Sequence, residues 1–286
     1  MLNVISRHFQ HKPFIIPYKF KIMKIARFIQ DGEIRIGIVE GEMRVIKEKN
    51  VLEVINKENL EIGNIVKPEK WLPPVTPGKI ICLGLNYYDH AEEAKMKIPE
   101  HPILFSKAVS SLIGHKNPII HPLGNTKVDY EVELAVIIGK KGKNIEKENA
   151  MDYVLGYTIL NDVSERTAQF EDGQWFRGKS FDTFCPLGPY LVTKDEIPDP
   201  HNLKLEAYVN EELRQSSNTN NLIFKIPEII SFCSMSMTLY PGDVIATGTP
   251  GGVGIFYDPP KLLKPGDRVT LVIEKIGKLE NPVISL

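Results

Sequence analysis

Several short stretches of this chain alternate apolar and polar residues with a period of two. Lys24–Phe28, Ile34–Val39 and Met43–Ile46 do so, with Asp31-Gly32 and Glu40-Gly41 between them, and that pattern predicts a small β meander. In Asp129–Gly139, Val132, Leu134, Val136 and Ile138 alternate with Glu131, Glu133, Ala135 and Ile137, and Gly139 closes the run, which predicts a strand. Lys79–Leu83, Tyr157–Leu160, Leu203–Val209 and Val244–Thr247 read as further strands. Helical patterns are fewer. Gly84–Ala94 reads as a turn entering a short helix, with Asn86 as its cap, Asp89, Glu92 and Glu93 in its early turns and Pro99 as its stop. Glu146–Leu155 reads as a helix ended by Gly156. Pro227–Thr238 reads as a helix with Ile229, Ile230, Cys233 and Met237 on its apolar side. Gly178–Pro189 is expected to be irregular, the kind of segment that often lines a site.

Pro68, Pro73, Pro74 and Pro77 cluster around Trp71, predicting an extended linker and a boundary near residue 75. The expected organisation is an extension over 1–22, a small N-terminal β domain with its linker over 23–75, and a catalytic domain over 76–286. Residues 1–22 contain Arg7, Lys12, Lys19 and Lys21 and no acid, but Pro13 and Pro17 interrupt any helix and the apolar core of a signal peptide is missing. They are read as a mobile extension or the product of an upstream start codon, with Met23 as the natural beginning.

Composition narrows the function by elimination. A net charge of −1, from 35 basic and 36 acidic residues, carries no global footprint for nucleic acid or an anionic membrane. No apolar run reaches the roughly 18–20 residues needed to span a bilayer. Cys82, Cys185 and Cys233 are far apart and odd in number, against a disulfide framework or a structural zinc site and in favour of a reducing, cytoplasmic setting. A small-molecule function remains.

Glu131 and Glu133 share one face of their strand, about 7 Å apart along it. A hard divalent cation such as Mg²⁺ or Mn²⁺ would neutralise such a pair, but the pattern alone favours a half-solvated strand with its glutamates facing water, since exposed carboxylates are common. Asp162, after the strand Tyr157–Leu160, could be a third ligand or a helix cap. His90 and Glu93 are three apart on one helical face, the arrangement of an oriented general base or of a surface ion pair. Lys179 could stabilise an enolate or carboxylate, or be solvated. Gly248–Gly254 lacks the Gly-Lys-Ser/Thr of a P-loop; its glycines would let N–H groups approach an anion, with Thr249 offering a hydroxyl, or it is a plain tight loop.

Taken in order, the motifs resemble the fumarylacetoacetate hydrolase family, specifically its shorter catalytic-domain members. They are Gly84-Leu-Asn-Tyr-x-x-His90-Ala-x-Glu93, Phe105-x-Lys107, Asp129-Tyr-Glu-x-Glu-Leu134, Gly156-Tyr-x-x-x-Asn-Asp162-Val-Ser, Gly178-Lys-Ser-Phe-Asp182, Pro186-Leu-Gly-Pro189, Gly242-Asp and Gly248-Thr-Pro-x-Gly-Val-Gly254. Asn210-Glu211 and Ser164-Glu-Arg-Thr167 depart from the Asn-Gly and Ser-x-Arg-Asp common in relatives. The resemblance implies an α+β, β-rich fold, a mixed β-roll or barrel with peripheral helices, in a homodimer. It implies Mg²⁺, with Mn²⁺ or Ca²⁺ as substitutes, on Glu131, Glu133 and Asp162. Lys179, Thr249, Gly248 and Tyr87 are expected around a small 2-oxo acid, under a lid helix bearing His90 and Glu93. The expected reaction is hydrolysis of a C–C bond in an acylpyruvate-type 3-ketoacid, with His90 activating water. The alternatives are isomerisation or decarboxylation of an unsaturated 2-hydroxy dioate from aromatic breakdown, sugar-acid dehydration and, most remotely, non-catalytic binding of a small acid.

Overall fold

The computed structural model of the protein describes residues 14–17, 23–55, 57, 59–124 and 126–285. Strands dominate, in sheets of thirteen, five and two strands. The fold is the expected α+β, β-rich one, but the large sheet is open in its hydrogen-bond order and closes no barrel. Its path runs from Phe14–Pro17 through the N-terminal meander to Lys24–Gln30, then Cys185–Thr193, Val154–Asn161, Val132–Ile138, Val244–Ala246, Ile80–Gly84 and Ile103–Lys107. Pairing of Ile25 with Leu191 and of Lys24 with Val192 carries the sheet across the proline-rich linker. Phe14–Pro17, inside the segment read as an extension, pairs with Asn59–Ile62; the other residues of 1–22 lie outside those described.

Val132–Ile138 is buried along its whole length. Val132, Leu134, Val136 and Ile138 face the main core, which they share with Leu205, Leu271 and Leu279 of the five-stranded sheet. Ala135 and Ile137 face a second core with Ile80, Leu187 and Leu191. A strand covered on both faces leaves no solvated side for a glutamate to occupy.

Two predicted elements differ. Glu146–Leu155 is a 3₁₀ turn over Lys147–Tyr153, and the next strand already begins at Val154. Gly156 sits inside that strand because a Cβ there would lie 2.1 Å from the carbonyl oxygen of Val192 on the adjacent strand, so the glycine serves close backbone approach and not a helix end. Gly178–Pro189 is not irregular throughout: Phe176–Lys179 is helical and Cys185–Thr193 is a central strand. Its prolines obscured that strand. The register against Val154–Asn161 shifts between Tyr157 and Ile159, a bulge that spares Pro189 a place in the hydrogen-bond ladder.

Candidate active site

Strand register assembles the site. Val132 pairs with Asn161, which puts Glu131 and Glu133 beside Asp162 at the end of the neighbouring strand. Asp162 N–H donates to the Glu131 carbonyl at 3.0 Å, and Glu131 N–H to Asn161 Oδ1 at 3.0 Å. One carboxylate oxygen from each of Glu131, Glu133 and Asp162 lies within 4.8 Å of the others. All three side chains are buried, Glu133 to 1% exposure, so the half-solvated reading of the Glu-x-Glu strand does not hold.

Buried cations hold two of these carboxylates. Lys179 Nζ donates to Glu131 Oε2 at 2.7 Å and to Asp162 Oδ2 at 2.8 Å. Lys107 Nζ donates to the other Asp162 oxygen at 2.6 Å and to the Val163 carbonyl at 3.0 Å. Arg166 reaches Glu131 Oε1 at 2.8 Å and clamps Asp129 Oδ2 through Nε at 2.9 Å and Nη2 at 2.8 Å. Burial alone would raise the Glu131 carboxyl, but Lys179 and Arg166 outweigh it and hold it below the ordinary range. Burial likewise disfavours the charged form of Lys179, and the carboxylates of Asp162 and Glu131 reverse that, keeping it an ammonium.

Glu133 is different. Its bond is from the Gly248 N–H, at 2.8 Å, and burial followed by the charges of Asp162 and Glu131 pushes its carboxyl well above the ordinary range. A buried carboxylate beside two others, without its own cationic side chain among the described residues, is the group a divalent ion would neutralise. An all-oxygen donor set suits Mg²⁺, Mn²⁺ or Ca²⁺. The residues therefore fit the ion that the motifs imply.

The glycine loop and the short helix Tyr88–Glu93 close over this centre. Gly248 has φ +99°, and a Cβ on it would lie 2.8 Å from Asn86 Cβ, so only glycine brings this N–H to Glu133. Asn86 caps no helix, since Tyr87 stands at the N-cap position without a side-chain bond. Instead Asn86 is buried, donates to the carbonyls of Thr247 at 2.8 Å and Phe224 at 3.2 Å, and accepts from Phe224 N–H at 2.8 Å. It joins the two segments that flank the site. Thr249 Oγ1 donates to the Val132 carbonyl at 3.0 Å and accepts from Gln215 at 2.8 Å.

His90 Nδ1 lies 3.4 Å from Glu93 Oε2, so the predicted pair forms. Glu93 also accepts from Gly252 N–H at 2.9 and 3.0 Å, while Asp89 accepts from Gly251 N–H at 3.2 Å and from Asn221 at 3.2 Å and pairs with Ser217. A cavity of about 100 Å³ between helix and centre is lined by His90, Glu131, Arg166, Lys179 and Thr249 among others. Gly248 and Tyr87 do not line it. Tyr87 is wholly buried in the main core, and its hydroxyl has no hydrogen-bond partner among the described residues.

Sequence reasoning gave no role to Lys107 or Asp129. Asp129 is fully buried and accepts from the N–H groups of Gly254 at 2.8 Å and Ile255 at 3.0 Å as well as from Arg166, tying the glycine loop to the centre. Their signal was present: a lysine ending an apolar strand and an aspartate opening one are costly unless paired. A larger concavity, about 770 Å³, lies over the small sheet between Glu206, Arg268 and Glu280. It holds no metal-competent cluster of the described residues.

Comparison with known proteins agrees with this geometry. Residues 79–284 match the family described as fumarylacetoacetate (FAA) hydrolase C-terminal. A rat protein named oxaloacetate tautomerase Fahd2a, mitochondrial, is 54% identical over 216 residues, 75% of this chain and 69% of its own. Among solved structures, a fumarylacetoacetate hydrolase from Exiguobacterium antarcticum is 41% identical with a TM-score of 0.85, covering 92% of this chain and 100% of its own. A 5-carboxymethyl-2-hydroxymuconate delta-isomerase from Mycobacterium smegmatis is 36% identical with a TM-score of 0.79, at 92% and 100% coverage. With a family match over most of its length and a triad of buried carboxylates where the motifs placed it, the chain belongs to the fumarylacetoacetate hydrolase family of enzymes.

Proposed function

We propose that the protein interconverts the keto and enol forms of a small 2-oxo acid of the oxaloacetate type. The observation that carries this reading is the set of three carboxylates within 4.8 Å, beside a cavity that His90 and Lys179 also line. The name of the rat relative and the isomerase title of the mycobacterial structure support it over hydrolysis as the first choice. A divalent ion held by Glu131, Glu133 and Asp162, Mg²⁺ in this proposal, supplies Lewis-acid polarisation of the 2-oxo group. The chain's own groups do the rest. His90, oriented by Glu93, takes the proton from the carbon next to the carbonyl. The Lys179 ammonium faces the oxygen on which enolate charge develops, and its partners keep it protonated, so it stabilises charge and is not the base. Returning the proton to that oxygen gives the enol.

C–C hydrolysis of an acylpyruvate is the second reading. The His90–Glu93 pair favours it, because the same imidazole could activate a water. The Exiguobacterium title is consistent with it. The deciding experiment follows oxaloacetate enol and an acylpyruvate spectrophotometrically with Mg²⁺-supplemented wild type and Glu131→Ala. Loss of the enol signal in wild type only, with acylpyruvate untouched, supports the tautomerase. Consumption of acylpyruvate alone selects the hydrolase, and equal rates in both proteins would remove the carboxylate centre from the chemistry.

A homodimer and a cytoplasmic setting complete the proposal. The three free, buried cysteines suit the second. Sedimentation equilibrium tests the first.

A further inference from the structure

Trp175 is bound into the site by three contacts that the reaction itself does not require. It precedes the helical turn Phe176–Lys179, and Lys179 N–H donates to its carbonyl at 3.0 Å. Residues four apart across such a turn lie on one face, and both Trp175 and Lys179 line the cavity. The indole rests on the backbone of Gly84: a Cβ there would lie 2.3 Å from Cζ3 and 2.7 Å from Cη2. Its edge meets Phe105, with ring centroids 5.3 Å apart at 74°, and the Phe105 ring in turn lies 5.2 Å from Lys179 Nζ. The ring that walls the cavity and the cation that serves it are thus one packed unit.

The cavity is small and lined by both charged and apolar side chains. Its volume of about 100 Å³ is well below the roughly 300–1,000 Å³ of common ligand pockets. Lys179 and Arg166 pair with Glu131, and Met96, Trp175 and Phe256 supply apolar surface to the same cavity.

We propose that Trp175 is a specificity-determining residue that restricts this enzyme to short 2-oxo acids, as a fixed wall of a cavity too small for a longer one. This rests on the reading of the substrate as a 2-oxo acid and adds the limit on its length. Isothermal titration of Mg²⁺-supplemented protein with 2-oxoglutarate and with 2-oxoadipate, which differ by one methylene, tests it directly. Wild type should bind the shorter acid about tenfold more tightly. Trp175→Ala should abolish that preference, with Trp175→Phe in between; the phenylalanine variant keeps an aromatic ring at this position and carries the test if the alanine variant does not fold. The same ratio in all three proteins, or no preference in wild type, would overturn the wall. Oxaloacetate turnover by wild type is recorded separately: its absence alongside a shifted binding ratio would refute the proposed reaction and leave the role of Trp175 standing.

Discussion

The carboxylate centre and the helix that covers it are held in opposite ways. Glu131, Glu133 and Asp162 stand on or beside central strands, and Lys107, Lys179 and Arg166 pair with Glu131 and Asp162 at 2.6–2.8 Å in burial. Tyr88–Glu93 is six residues long, buries only Ala91, and is tied down by Asp89 and Glu93 accepting from loop N–H groups and neighbouring polar side chains. Register and low dielectric make the first region rigid and costly to disturb. The second depends on a few partly solvated hydrogen bonds, the kind that open at little cost. A site of this design holds its charges more firmly than its cover.

Lys107→Met is the strongest way to break that contrast. Removing one partner of a fully buried pair costs about 3–5 kcal/mol, because Asp162 loses a cation it cannot replace from water. Lys107 does not line the cavity, so its effect on chemistry runs through the placement of Asp162. Divalent affinity by isothermal titration should fall about 10–100-fold, with partial rescue by Lys107→Arg. Unchanged affinity would show that Asp162 needs no such support.

A titrating group away from the centre sharpens the comparison. His115 is buried, and burial, then Lys116, lowers it to about 4 from 6.5. Its Nδ1 accepts from Glu280 N–H at 3.0 Å. A depressed pKa means the folded state binds fewer protons than the unfolded one, so the neutral imidazole's contribution is present above pH 6.5 and is lost as pH falls toward 4. Across that window wild type should lose about 2 kcal/mol more than His115→Gln in urea unfolding. Equal pH slopes would assign the acid sensitivity to the carboxylates alone.

Glu93→Gln should have the smallest effect on stability, less than about 1 kcal/mol, since its pair with His90 is partly exposed. Turnover should nevertheless fall about tenfold or more, because a neutral partner no longer stabilises the imidazolium formed in the reaction. A large loss of stability with turnover intact would reverse the contrast between the two regions.

Local pattern carried much of this molecule. The alternation from Val132 to Ile138 locates the strand that carries the acidic pair, and the three-residue spacing of His90 and Glu93 places them on one turn, because both periodicities belong to the backbone and need no partner. The ordered motifs then pointed to the family. Where local pattern misled, a distant neighbour had intervened: Gly156 faces Val192, and Asn86 bonds Thr247, 161 residues away.

The chain's own order of residues therefore determines its strands, its acidic pair, its dyad and its likeness to a family. Only the tertiary structure decides that the glutamates are buried, that Lys107 and Lys179 meet Asp162 from 55 and 17 residues away, and that Trp175 lies on Gly84. Charge compensation and cavity shape are sums over neighbours that sheet register brings together, and no window along the sequence contains them.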